Sequence, residues 1–252
     1  VLKSQGEVFS ASEGDEIEVS SISTGFYSYL HVAGGFLTAV HFGSRSGNIR
    51  AGLGTILKTG DYLPYASPVN VKISAIKMRN YTNCNKIRLI SGPQTRLFSK
   101  KIFDNFLKTE FTITSSRDRM GIRLGHQGKK FDTKSGLNVL SEAIEIGDIQ
   151  IDGQGVPTIL LNDRQPTGGY PRIATVISAD LHKVAQIGVN STFKFTLVSL
   201  NEAIKALKDF TDELSDLENE VFNLTRDPSD IDNLLSYGLI DGAIRGDEYE
   251  ES

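Results

Sequence analysis

A mainly β architecture that finishes in α-helices is what this 252-residue sequence predicts, and three observations carry the prediction. Residues 1–77 set short apolar runs between closely spaced glycines, among them Gly34, Gly35, Gly43, Gly47, Gly52 and Gly54. Glycines this dense rule out long helices and suit a strongly turned sheet or barrel. From Ile87 to Ile177 further short apolar runs recur, separated by turn residues. Beyond Ser199 the period changes, with Leu200, Ala203, Leu207, Phe210, Leu214, Leu217, Val221 and Leu224 spaced by threes and fours.

In chain order, Ile17 and Val19 alternate after a Gly14-Asp15 turn, residues 26–32 are rich in aromatic and β-branched side chains, and Val69, Val71, Ile73 and Ala75 alternate strictly. Each reads as a strand. The polar, Asn-rich stretch 78–85 marks a domain boundary before the strand Ile87 to Ile90. Residues 97–108 place Phe98, Ile102, Phe103, Phe106 and Leu107 on one helical face, a core-facing helix. Strands are expected at Phe111 and Ile113, from Asp148 to the Gly153 turn, from Thr158 to Leu161 and from Ile173 to Ile177. Ser199 and Glu202 form a capping box that opens a long amphipathic helix. Asp227-Pro228 starts a second helix with Ile231, Leu234, Leu235 and Leu239, before a disordered acidic end.

Net charge of −4 leaves no electrostatic footprint for nucleic acid or anionic membrane. No apolar run approaches the ~20 residues of a membrane span. The single cysteine, Cys84, excludes an intramolecular disulfide and favours a cytoplasmic protein. Three motif fragments fail on inspection. Residues 52–59 end in Lys58-Thr59 as a phosphate-binding loop does, but Leu57 stands where that loop needs glycine. Residues 148–153 imitate a calcium loop until position 12, where Ile159 replaces the bidentate glutamate. His31, His41, His126 and His182 lack metal-ligand spacing, so no metal site is expected.

The stretch with the densest chemistry is 141–180. Between two apolar runs lie Asp163, Arg164, Gln165, Pro166, Thr167, Gly168, Gly169, Tyr170, Pro171 and Arg172. A plain connection needs only a few turn residues. Paired glycines among charges can instead bring backbone close to a ligand, and the plainer reading is a hairpin loop with a local Asp163–Arg164 contact. Upstream, Arg117, Arg119 and Arg123 share a face if the segment is a strand, with Ile122 and Leu124 opposite. Arginine forks suit a planar carboxylate.

Leu30 to Gly35, Gly43 to Ser46, Gly52 to Gly54, Gly60 to Pro64, Gly92 to Gln94, Arg119 to Leu124, Gly147 to Gln150, Asp163 to Tyr170 and Ile173 to Asp180 together resemble, in order, the allophanate hydrolase subunit 2 family, also described as biotin-dependent carboxyltransferases and including KipA and the C-type subunit of 5-oxoprolinase. The resemblance implies two β-barrel-like domains, the second cyclophilin-like, followed by C-terminal α-helices: residues 1–86, 87–199 and 200–252. The family's Gln-Asp-x-Gly-Arg motif is not found ahead of the matching segments, so the first domain is expected to be incomplete at its start. Pro166 stands in place of a family threonine, and Ser46-Gly47 in place of Ser-Thr.

The resemblance implies a component of an ATP-dependent 5-oxoprolinase, opening 5-oxoproline to glutamate only in complex with a KipI-type (B-type) protein and a LamB/YcsF-type (A-type) protein, ATP being a co-substrate. Two alternatives are the carboxyltransferase component of a biotin-dependent, urea-type carboxylase, with biotin supplied on another chain, and a non-catalytic KipA-like regulator that binds a histidine-kinase inhibitor. Under the leading reading Asp163, Arg164 and Tyr170 are catalytic, while Arg119, Arg123, Gln150, Thr167, Gly168, Gly169 and Arg172 bind substrate.

Overall fold

The computed structural model describes residues 2–22, 24–66, 71–77, 84–133 and 136–224. They divide into two compact units, one of residues 2–15, 71–77 and 218–224, the other of residues 16–22, 24–66, 84–133 and 136–217. In the first unit strand β1 (Ser74–Ile76) pairs antiparallel with β11 (Val221–Asn223), Ala75 facing Phe222. Val8 N–H donates to the Ser74 carbonyl at 2.8 Å and Ile76 N–H to the Gly6 carbonyl at 3.0 Å, so residues 6–8 run along the other edge of β1.

The second unit is built on a closed barrel. Its strands are β2 (Lys86–Ile90), β3 (Glu110–Arg117), β4 (Gly121–His126), β6 (Asp148–Ile151), β7 (Pro157–Leu160), β9 (Arg172–Val176) and β10 (Thr192–Leu197), in the spatial order β10-β2-β9-β6-β7-β4-β3. All neighbours are antiparallel except β10 beside β2. Closure leaves no strand edge in the ring. The fold is mainly β, with a closed barrel as the resemblance implied.

Strand alternation sorts the side chains. Ile87, Leu89, Phe111, Ile113, Ile122, Leu124, Ile149, Ile151, Ile159, Ile173 and Phe193 are essentially inaccessible and form the interior. Helix α1 (Lys100–Lys108), capped by Ser99 Oγ accepting from Ile102 N–H, inserts Phe106 among Phe111, Phe131 and Phe195 at centroid separations of 5.0, 5.3 and 5.1 Å. Edge and stacked aromatic contacts of this kind add to the burial itself.

After β9 a 3-10 turn (Ser178–Asp180) leads into α2 (Leu181–Gln186). Asp180, buried there, accepts from Arg88 Nη2 at 2.7 Å, Arg88 Nε at 3.0 Å, the Arg88 backbone N–H at 2.9 Å and Lys183 Nζ at 2.8 Å. Burial pushes its carboxyl upward, but these donors prevail and hold it at about 2. Helix α3 (Leu200–Ser215) starts at the predicted capping box and lays Ala203, Ala206 and Phe210 on Ile177 and Ala179. His182 stacks on Phe210 with centroids 4.5 Å apart.

Two expectations change. The apolar repeat beyond Ser215 does not prolong α3: a 3-10 turn (Asp216–Glu220) and β11 follow, because Val221 to Asn223 pair with β1 instead. Residues 16–66, read as strands, carry among the described residues a 3-10 turn (Ile49–Ala51) and isolated bridges at Phe36–Tyr65, His41–Ser44 and Asn48–Leu53. Tyr29, Leu30, Phe42, Ile56 and Tyr62 stay exposed there, so alternation has no opposing strand to face. The helix expected after Pro228 and the acidic end lie outside the described residues.

Candidate functional site

Arg123 on β4 stands opposite Thr158 on β7, Thr158 opposite Gln150 on β6, and Gln150 opposite Arg172 on β9. Their chain neighbours Ile122, Leu124, Ile149, Ile151, Ile159 and Ile173 fill the interior, so these four side chains form one row across the outer face of the barrel. With adjacent strands about 4.8 Å apart, the row is roughly 14 Å long. Three of the predicted residues are thus set in line by register.

The loop that carries the densest chemistry folds back over this face. Its Thr167–Gly168 forms β8, which pairs with β5 (Glu142–Ala143), Gly168 opposite Glu142. Gln150 Nε2 donates to the Tyr170 carbonyl at 3.3 Å, and a Cβ at Gly168 would come within 2.5 Å of that same nitrogen. The close approach Gly168 permits is therefore to Gln150. Gly169 accepts through its carbonyl from Val139 N–H at 2.9 Å. Tyr170 is 40% exposed.

Two arginines hold the 142–148 segment. Arg172 Nη1 donates to the Ala143 carbonyl at 2.7 Å and to Asp148 at 3.2 Å, and its Nη2 to Glu142 at 2.8 Å. Arg164 Nε donates to the Ile144 carbonyl at 3.1 Å and its Nη2 to Glu145 at 3.1 Å. Asp148, itself buried, also accepts from Thr175 Oγ1 at 2.6 Å and from Glu145 N–H at 2.9 Å. The plainer reading of a local Asp163–Arg164 contact is thereby replaced. Asp163 pairs with Arg119 at 3.0 Å, and its backbone N–H donates to the Arg119 carbonyl at 2.8 Å.

The upstream arginines do not share one face. Asp118 Oδ1 accepts from Met120 N–H at 2.8 Å and Gly121 N–H at 3.3 Å, closing a turn between β3 and β4. Arg117, before the turn, donates to the Ile187 and Ala185 carbonyls at 2.6 and 2.7 Å beneath the Phe26 ring, whose centroid lies 3.6 Å from its guanidinium carbon. Burial pushes this guanidinium below its ordinary value. Arg119, on the turn, also reaches the Gly47 carbonyl at 3.1 Å and Ser46 Oγ at 3.4 Å. Arg123, after it, pairs with Asp152 at 2.6 Å and with Gln154 at 3.2 Å. Arg119 and Arg123 are the accessible ones, with side chains 52% and 38% exposed against 18% for Arg164 and 12% for Arg172.

Sequence reasoning missed Gln94, Glu142, Asp148 and Asp152 as members of this surface. Gln94 carried a signal as the end of the Gly92-Pro93-Gln94 turn, and Asp148 as part of the Gly147 to Gln150 segment, whereas Glu142 carried none. No group of histidine, cysteine and acidic residues suited to a metal occurs among the described residues. No helix among them is long and apolar enough to cross a membrane.

A closed barrel carries the register-aligned polar row and the arginine-clamped loop over it, and residues 3–197 match the family described as carboxyltransferase domain, subdomain A and B; the chain belongs to that family. It is 38% identical over 200 residues to the C-type subunit of 5-oxoprolinase from Haemophilus influenzae, covering 76% of this chain and 62% of that one, and 34% identical over 200 residues to its counterpart from Escherichia coli, covering 78% and 64%. The chain thus spans less than two thirds of the length of these relatives. The solved Kluyveromyces lactis urea amidolyase superposes with a TM-score of 0.69 at 21% identity over 82% of this chain and 15% of that one, a likeness of fold.

Proposed function

We propose that this chain is the C-type component of an ATP-dependent 5-oxoprolinase, a lactam hydrolase that opens 5-oxoproline to glutamate and works in complex with KipI-type (B-type) and LamB/YcsF-type (A-type) partners in the cytoplasm. The observation that carries the reading is the 38% identity to a C-type 5-oxoprolinase component across three quarters of the chain. Residues 1–86 and 87–199 are proposed as its two β domains and 200–252 as a C-terminal segment that begins with helix α3.

The geometry suits the chemistry. A lactam carbonyl resists water until its oxygen is activated, and the charge that develops needs fixed donors. Arg119 and Arg123, the accessible arginines, are assigned to the substrate carboxylate or phosphate, and Asp163 orients Arg119 or takes a proton. Arg164 and Tyr170 complete the catalytic set. Gln150, Thr167, Gly168, Gly169 and Arg172 shape the floor and wall of the site. ATP enters as co-substrate of the assembly.

Co-purification with the neighbouring components and an assay of 5-oxoproline-dependent ATP hydrolysis tests this: activity should require the chain. Full activity without it overturns the reading. The family description as a carboxyltransferase favours a second reading, carboxyl transfer from biotin on a separate carrier. Inhibition of the assembly by avidin would support that reading and remove the first.

A further inference from the structure

We propose that Gln94 is a positioning residue for Arg172, fixing its guanidinium so that a single N–H is left to face substrate; the proposal rests on the assignment of Arg172 to the substrate site. Gln94 is buried, 7% exposed, on the turn that follows β2. That turn is pinned to β9: Thr95 Oγ1 accepts from Gly92 N–H at 2.9 Å and donates to the Ile173 carbonyl at 2.7 Å. Gln94 Oε1 accepts from the Arg172 backbone N–H at 2.9 Å and from Arg172 Nε at 3.2 Å. Its Nε2 donates at 2.8 Å to Glu142 Oε2, the oxygen that also accepts from Arg172 Nη2.

The network fixes the amide's orientation, since its oxygen meets two donors and its nitrogen a carboxylate. Only an amide supplies both functions at this position. A guanidinium has five N–H groups. Nε goes to Gln94, both on Nη1 go to Ala143 and Asp148, and one on Nη2 goes to Glu142. These contacts leave the second N–H of Nη2, so Arg172 offers one aimed hydrogen bond and not a two-pronged fork. A two-pronged grip needs a second, parallel N–H from Nε or Nη1, and those are held by Gln94, Ala143 and Asp148.

The test is a charge-conserving swap in the full chain. Gln94→Glu keeps the acceptors for Arg172 but loses the donor to Glu142 and sets two carboxylates together. Gln94→Glu with Glu142→Gln restores the charge count and the donor–acceptor pair between the two side chains with the donor reversed, and leaves Arg172 Nη2 the amide oxygen at position 142 as its acceptor. Two readouts are followed: kcat and KM of the reconstituted complex, and the hydrogen-exchange rate of the Arg172 Nε–H by nitrogen-15 NMR, assigned with Arg172→Lys. Gln94→Glu should lower kcat by roughly tenfold or more, since small misplacements at a reacting centre are costly. It should speed the Nε–H exchange by a similar factor, and the double swap should return both towards wild type. An unchanged exchange rate in Gln94→Glu, or a double swap no better than the single change, overturns the proposal. If Gln94→Glu does not fold, folding of the double swap supports the pairing and its failure to fold overturns it. If the wild-type complex does not act on 5-oxoproline, the functional reading falls while the exchange measurement still decides the link between Gln94 and Arg172.

Discussion

Asp163 turns away from its chain neighbour Arg164 and pairs at 3.0 Å with Arg119, which sits on the turn between β3 and β4. Because Arg164 points to Ile144 and Glu145 instead, the two adjacent charges brace different parts of the barrel's outer face.

Asp163→Asn and Arg119→Ala should therefore affect activity far more than stability. Arg119 is half exposed, and ion pairs of that kind contribute about 0–1 kcal/mol. In the reconstituted complex each change should lower kcat/KM by roughly tenfold or more, the loss of a charge-assisted contact to substrate. Thermal midpoints should shift little. Variants that keep wild-type turnover would remove both residues from the site.

Asp180 makes stability depend on acid. Its carboxyl is held at about 2, below its ordinary 3.8, so the folded chain releases this proton more readily than the unfolded one. The stabilisation is complete above about pH 4 and is lost as pH falls towards about 2; it is on the order of 2 kcal/mol. Asp180→Asn should flatten that part of the pH–stability curve and cost about 3 kcal/mol at neutral pH, since it strips the partner from Arg88 and Lys183. Urea titrations from neutral to acid pH measure both; parallel curves for variant and wild type would count against the assignment.

Much of the barrel could be read from the chain because period and burial agree there. Phe111 with Ile113 and Ile122 with Leu124 alternate, and each proves to face the interior. The capping box at Ser199 and Glu202 was legible because it is local. What was not legible depends on pairing across distance. The row of Arg123, Thr158, Gln150 and Arg172 follows from the register of four strands, three of them drawn from separate parts of the sequence. Arg117, Arg119 and Arg123 look equivalent by spacing, yet the Asp118 turn sends them to three different partners. Likewise β11 hid inside a helical repeat because its partner lies far away at β1.

Gly147 is a control outside the polar row. It takes φ +88°, and a Cβ there would lie 2.8 Å from the Val176 carbonyl oxygen, a backbone atom that cannot swing aside. Its N–H donates to the Leu160 carbonyl and its own carbonyl accepts from Val176 N–H, each at 2.8 Å, which fixes β6 between β7 and β9. Gly147→Ala should destabilise the chain by about 2–3 kcal/mol, adding the strain of a left-handed alanine to the clash. Chemical denaturation reads this, and a change below about 0.5 kcal/mol would show that the backbone there yields freely.

Arg164→Ala separates a clamp on the backbone from a surface ion pair. Arg164 is largely covered, and its Nε holds the Ile144 carbonyl, while the N–H of Ile144 donates to Pro166 at 3.3 Å. Removing the guanidinium leaves that carbonyl without its donor and frees both the 142–145 segment and the loop at Pro166, at a cost of about 1–3 kcal/mol. Amide exchange at Ile144 should accelerate, and the reconstituted complex should lose activity, because the loop bearing Tyr170 is anchored through the same contact. Glu145→Gln, at a side chain 78% exposed, should leave Ile144 exchange as it is, since the Nε bond remains. Equal acceleration in both variants would place the clamp in the ion pair, and no acceleration in Arg164→Ala would deny that Arg164 holds the loop at all.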